Sequence, residues 1–252
     1  MFSIRFWCLS LMIQIKQSEH STLLLTPLSP CDVCENWFHA DYWHQQNKIY
    51  AKKTGRASTW FFEHASLKAV LRHYWRGGLV GKLLTDQYLN TGLKNSRVYQ
   101  EFSLLVHLSE QGLNVPKPIA AQFKPSGLIY RADIITQAIE GAQSVLDILQ
   151  HRPLSSTEIE KVAKGIAEFH NEGVFHADLN INNILFDHQG EMYLIDFDRG
   201  QLKPPAQHWQ HANMTRLQRS FNKQLLKQPT FHWQKSDWHT LFTHYLSAIK
   251  KA

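Results

Sequence analysis

Two runs hold the residues best suited to chemistry: His176-Ala177-Asp178-Leu179-Asn180-Ile181-Asn182-Asn183, and further on Leu194-Ile195-Asp196-Phe197-Asp198. Their order is H-x-D-x4-N, a short hairpin, then D-F-D. Asp178, Asn183 and Asp196 are oxygen donors that a hairpin can bring together. Such donors suit Mg2+, which keeps several waters and binds through one or two carboxylates plus substrate phosphates. Phosphoryl transfer asks the protein for little more: metal to neutralise charge, a cation on the phosphates, and a carboxylate to orient the attacking hydroxyl. In that scheme Asp178 takes the hydroxyl proton, while Asn183 and Asp196 hold metal. His176 reads as a brace for the loop rather than as an acid or base. H-x-D alone is common by chance, and these residues could simply cap turns. The conjunction with the Asn, the hairpin and D-F is what points to catalysis.

The surrounding text predicts the elements that would position these groups. Strands are expected at Ile49 to Lys52, Trp60 to Phe62 and Leu67 to Tyr74, with a turn over Lys53 to Ser58. Asn95-Ser96 starts a helix and Gly112 stops it. Val98, Phe102, Leu105 and Leu108 form its apolar stripe, and Glu101 lies on that stripe. A carboxylate there needs a partner, because burying an unpaired charge is costly. Strands follow around Ile119 to Phe123 and Leu128 to Thr136, then a connector from Gln137 to Gly141. Ser155-Ser156-Thr157-Glu158 is a capping-box pattern opening a helix that ends at Gly173. The strands Ile184 to Phe186 and Met192 to Ile195 flank the turn Asp187 to Gly190, and the chain from Pro205 on is helical and aromatic. Strands first and helices second predict an α+β protein of two lobes. The divisions are an N-terminal extension over 1–48 without clear periodicity, a β-rich lobe over 49–140 and an α-rich lobe over 141–252.

Composition narrows the partners. The 252 residues carry 27 Lys and Arg against 21 Asp and Glu, a formal charge of +6. The balance suits an anionic partner. Three cysteines exclude a disulfide framework and point to a reducing compartment. The apolar run from Phe2 to Ile15 is shorter than the ~20 residues a bilayer span takes, and Met12 is an alternative start. The expectation is a soluble or peripheral chain.

With these motifs the sequence resembles the protein-kinase-like superfamily, with a mainly β N-lobe and a mainly α C-lobe. That resemblance pairs a cation on the third strand with a Glu on the next helix, and Arg72 and Glu101 stand there. It implies that Arg72 meets the ATP phosphates, that the turn at Gly55 covers them, and that the backbone of Ala138 and Ile139 meets adenine. Four departures stand out: Arg72 for the usual Lys, one Gly near Gly55 instead of three, Asn180 for a Lys, and Asp198 for the Gly after Asp-Phe. The last two suggest an acceptor other than a protein Ser or Thr. The runs Leu71 to Leu79, Gly112 to Pro118, Asp196 to Gly200 and Arg216 to Phe221 look like the 3-deoxy-D-manno-octulosonic acid (Kdo) kinase family of lipopolysaccharide core synthesis, from about Trp37 to the C-terminus. The resemblance implies Mg2+-dependent transfer of the ATP γ-phosphate to the 4-hydroxyl of Kdo on Kdo–lipid IVA. It also implies a peripheral protein on the cytoplasmic side of the inner membrane. Two other readings stay open: a kinase of this fold with another acceptor, and a nucleotide-binding pseudokinase.

One further pattern is set aside and another stays open. Cys31-x2-Cys34-x4-His39-x4-His44 mimics zinc spacing, but Trp37, Phe38, Tyr42 and Trp43 between them suit a buried aromatic cluster. Arg216, Arg219, Lys223 and Lys227 form either a solvated helix face or, with Phe221, Phe231 and Trp233, a contact for acidic lipid. No nucleic-acid motif accompanies the charge.

Overall fold

The computed structural model describes residues 13–54, 58–75, 86–228 and 230–250. By contacts the chain divides into two compact units. One comprises Met1–Gln111 with Pro116–Ala138, and the other Gly112–Val115 with Ile139–Ala252. The first unit ends at Ala138. The short segment Gly112–Val115 belongs to the second unit, where the Leu194 N–H donates to the Asn114 carbonyl at 3.1 Å.

The first unit is built on an antiparallel sheet. Its strands are β1 (Gln14–Gln17), β2 (Thr22–Leu25), β3 (Ile49–Thr54), β4 (Ser58–His64), β5 (Leu67–His73), β6 (Tyr88–Leu89), β7 (Pro118–Ser126) and β8 (Ile129–Gln137). They pair in the order β1-β2-β7-β8-β5-β4-β3, with β6 also on β8. The β1–β2 hairpin is absent from the sequence reading, and it places Gln14–Gln17 and Thr22–Leu25 in the sheet of the first unit. Alternation could not reveal it. Leu23 and Leu24 are both fully buried, while every residue of β1 is exposed at the sheet edge.

Between β2 and β3 lie a short 3-10 turn, Glu35–Phe38, and helix α1 (Ala40–Gln45). They carry Trp37 and Trp43 into the core beside Phe62. The Trp43 ring stacks on Phe62 at 4.0 Å, and its Nε1 donates to the Trp37 carbonyl at 2.8 Å. The aromatic cluster is therefore what this segment buries, and Cys31 is exposed. Helix α2 (Arg97–Glu110) starts where expected, its Ser96 side chain accepting from the Tyr99 N–H. It buries Val98, Phe102, Leu105 and Leu108 together with Glu101.

The second unit is mainly helical: β9 (Gln143–Ser144), α3 (Val145–His151), α4 (Ser156–Asn171), β10 (Val174–Phe175), β11 (Ile184–Phe186), β12 (Met192–Leu194), β13 (Gln201–Leu202), α5 (Gln207–Leu225) and α6 (Lys235–Ala248). The Ser155–Glu158 capping box forms, and Ile159, Val162, Ile166 and Phe169 face inward. Gly173 ends this helix at φ +76°, where a Cβ would lie 2.2 Å from the Lys203 carbonyl oxygen, so no other residue fits without moving backbone. Among the described residues, no helix is long and apolar enough to cross a membrane.

Candidate active site

The catalytic-loop residues gather in the second unit because β11 and β12 pair. Ile184 faces Leu194 in the ladder, and the next bond out runs from the Ile195 N–H to the Asn183 carbonyl at 3.0 Å. Asp196 follows directly, held at φ +65°. That left-handed backbone is costly for a non-glycine residue and is typical of functional sites. The Asn183 side chain donates from Nδ2 to the Asp178 carbonyl at 3.0 Å, which leaves its amide oxygen as the ligand-type atom. Asn180 donates to the same carbonyl at 2.8 Å. Asn183 is thus bonded to the Asp178 carbonyl through its side chain and, through its backbone, to the N–H of Ile195, the residue before Asp196.

His176 is the brace. It is buried; Nε2 lies 3.0 Å from the Ile195 carbonyl, and the Asp178 N–H donates to Nδ1 at 3.2 Å. A ring that donates on one side and accepts on the other must be neutral. Burial, the largest influence, also pushes its pKa below the usual range. The fully buried Phe197 packs against it with ring centroids 5.0 Å apart.

Three residues of α5 extend this network, and the sequence reading did not connect them to the loop. Buried Asn213 accepts from the His176 N–H at 3.2 Å and donates to the His176 carbonyl at 3.1 Å. Ser220 accepts from the Ile181 N–H at 3.2 Å. Arg216 donates from Nη1 to Asp178 Oδ1 at 3.2 Å. The spacing 213, 216, 220 places them on one face of a helix, a signal readable in the sequence once the helix is known to lie on the loop. The aromatic residues expected to help Arg216 and its neighbours meet lipid do something else. Phe221, Phe231 and Trp233 are buried, and Phe221 stacks on Trp233 at 3.9 Å.

In the first unit, β5 and α2 bring Arg72 to Glu101, Nη2 to Oε1, at 2.5 Å. Glu101 is 2% exposed, and its second oxygen accepts from the Tyr74 hydroxyl at 2.5 Å. The Arg72 guanidinium also lies 4.8 Å from the Tyr74 ring centroid. Tyr74 is a partner that sequence spacing alone did not single out. The buried carboxylate therefore meets one donor on each oxygen, and Arg72 is held in one place. Gly55 lies outside the described residues. The Ala138 N–H donates to the Lys68 carbonyl at 2.9 Å, so a ligand contact at Ala138 falls to its carbonyl; Ile139 begins the second unit.

A profile of the lipopolysaccharide kinase (Kdo/WaaP) family matches residues 40–245. The chain belongs to that family. Its relatives include proteins named 3-deoxy-D-manno-octulosonic acid kinase. One from Vibrio parahaemolyticus is 45% identical over 188 residues, covering 75% of this chain and 79% of the relative. One from Vibrio vulnificus is 44% identical over 211 residues, 83% and 88% of the two chains. One from Actinobacillus succinogenes is 36% identical over 241 residues, 93% and 99% of the two. The matched span contains Arg72, Glu101, Asp178, Asn183 and Asp196. Membership makes this chain a phosphotransferase of the kinase type. It also accounts for the sheet-rich first unit and the helical second one.

The donor set fits Mg2+. An amide oxygen at Asn183 and a carboxylate at Asp196 are hard oxygen ligands, and two protein ligands plus phosphates suffice for this ion. Among the described residues there is no group of three or more His, Cys, Asp and Glu of the kind softer metals use.

Proposed function

We propose that this chain transfers the γ-phosphoryl group of ATP to the 4-hydroxyl of Kdo in Kdo–lipid IVA, working peripherally on the cytoplasmic side of the inner membrane. The observation that carries this reading is the Asp178–Asn183–Asp196 group in a chain 36–45% identical to Kdo kinases over most of its length. Asp178 accepts the proton of the acceptor hydroxyl. The hydroxyl oxygen bonds the γ-phosphorus, the bond from that phosphorus to the bridging β–γ oxygen breaks, and ADP leaves. Asn183 and Asp196 would hold Mg2+, which supplies positive charge to the phosphate oxygens when bound. Arg72, fixed by Glu101 and Tyr74, supplies a planar cation suited to phosphate. His176 stays neutral and holds the Asp178 N–H, which fixes the backbone that carries the base.

Peripheral attachment is supported by the outer side of α5 and the residues after it. Arg219, Lys223 and Lys227 are exposed, and Leu226 beside them is 90% exposed. Basic residues near an acidic lipid surface contribute about 1 kcal/mol each.

The test is direct. Purified protein, Mg2+ and labelled ATP are incubated with Kdo–lipid IVA, and label is followed into the lipid phase. Label in lipid, lost in a folded Asp178→Ala variant, is the expected result. Transfer to protein only, or full activity in Asp178→Ala, would overturn it.

A further inference from the structure

We infer that Arg216 is the binding residue for the carboxylate of the acceptor sugar. This rests on the Kdo reading above and adds to it a subsite and a ligand group. An octulosonic acid brings its own negative charge to the reaction. That charge must come close to two others, the Asp178 carboxylate and the triphosphate. The hydroxyl to be phosphorylated and the carboxylate belong to one small ring, so a hydroxyl placed at Asp178 puts the carboxylate within reach of whatever flanks Asp178. The flanking group is Arg216, 3.2 Å from Asp178 Oδ1.

The local build supports a substrate role over a structural one. Both partners are more than half exposed, 53% for Arg216 and 56% for Asp178, and an exposed pair of this kind adds little to stability. Asn213 one turn before and Ser220 one turn after pin the loop through buried or half-buried bonds. Arg216 is therefore carried on a rigid helix face next to the base without being needed to hold the loop. A guanidinium presents several N–H groups in a planar fork, so it can keep Asp178 and bind a carboxylate at the same time. The catalytic loop offers no cation for this task, since Asn180 folds back onto the Asp178 carbonyl.

The experiment compares two acceptors, Kdo–lipid IVA and its Kdo carboxyl methyl ester, with the full-length wild type, Arg216→Gln and Arg216→Lys. Circular dichroism confirms folding. Arg216→Gln should raise KM for the acid acceptor about 10- to 100-fold, the loss of one hydrogen bond to a charged group. KM for ATP should stay within about 2-fold, inside the ordinary scatter of a substitution that does not touch the nucleotide. The ester should bind wild type worse than the acid does, and Arg216→Gln should treat the ester as wild type does. Arg216→Lys should recover part of the loss, as a point charge without the fork. Equal losses on acid and ester, or a fall in kcat with KM unchanged, would assign Arg216 to the phosphoryl group or the base and overturn the inference. So would an ester bound by wild type as well as the acid. A wild type inert on the acid acceptor would instead overturn the Kdo reading, and this inference with it.

Discussion

Glu101→Gln probes the most deeply buried carboxylate among the described residues of the first unit. Two donors converge on it: the Arg72 guanidinium on one oxygen and the Tyr74 hydroxyl on the other, both at 2.5 Å. Gln keeps the shape but has a single acceptor oxygen. Its NH2 must then face one of the two donors, which loses its acceptor at residue 101, a position only 2% exposed. An unsatisfied buried group costs about 1–3 kcal/mol, and loss of a buried charge partner about 3–5 kcal/mol. Arg72 is 27% exposed and recovers some hydration, so we expect the lower part of the range, about 3 kcal/mol. Tyr74→Phe removes the hydroxyl's bond to Glu101, a hydrogen bond to a charged group worth about 1.5 kcal/mol. In the double variant Gln can turn its oxygen to Arg72 with no hydroxyl left to oppose. The two changes should therefore be less than additive, by about 1 kcal/mol. The assay is urea denaturation of all four proteins at constant m, with KM for ATP alongside. Glu101→Gln should also raise KM for ATP about 10-fold, because Arg72 loses the group that holds it. Additive effects, or a Glu101→Gln cost no greater than that of Tyr74→Phe, would refute the two-donor account.

Two further outcomes follow from the second unit. Asn213→Ala leaves the buried His176 N–H and carbonyl without their partner, so it should cost about 3 kcal/mol and lower kcat more than KM; a loss below about 1 kcal/mol with full activity would refute the pinning role. Burial pushes the pKa of His170 down to about 4 against an ordinary value of 6.5, so between these pH values the unfolded chain binds a proton that the folded one refuses. This contribution is fully present above pH 6.5 and is lost as the pH falls to 4, with burial of His176 acting in the same direction. The expected loss is about 3 kcal/mol over that window, read as the difference between wild type and His170→Gln in denaturation at stepped pH. Parallel curves for the two proteins would refute it.

Much of this protein was readable in the linear chain, and the readable parts share a cause. The helix over Arg97–Glu110, the capping box at Ser155 and the hairpin between Asn183 and Asp196 are set by neighbours within a few residues, through capping, periodicity and turn chemistry. The Arg72–Glu101 partnership was legible for another reason. A charge on an apolar stripe advertises an unmet need, although not the identity of every partner. Contacts between distant segments were not legible. The β1–β2 hairpin joins the sheet through β7, roughly a hundred residues later, and no local pattern encodes that pairing. Tyr74 reaches Glu101 because a strand end and a helix face happen to meet. Arg216 and its aromatic neighbours were grouped by sequence proximity as one basic stretch, either a solvated helix face or a contact for acidic lipid. Only the packed helix shows that its faces part company, with Phe221 stacked in the core and Arg216 turned to Asp178. A helix periodicity says which residues share a face, but the direction each face points is decided by what packs against it.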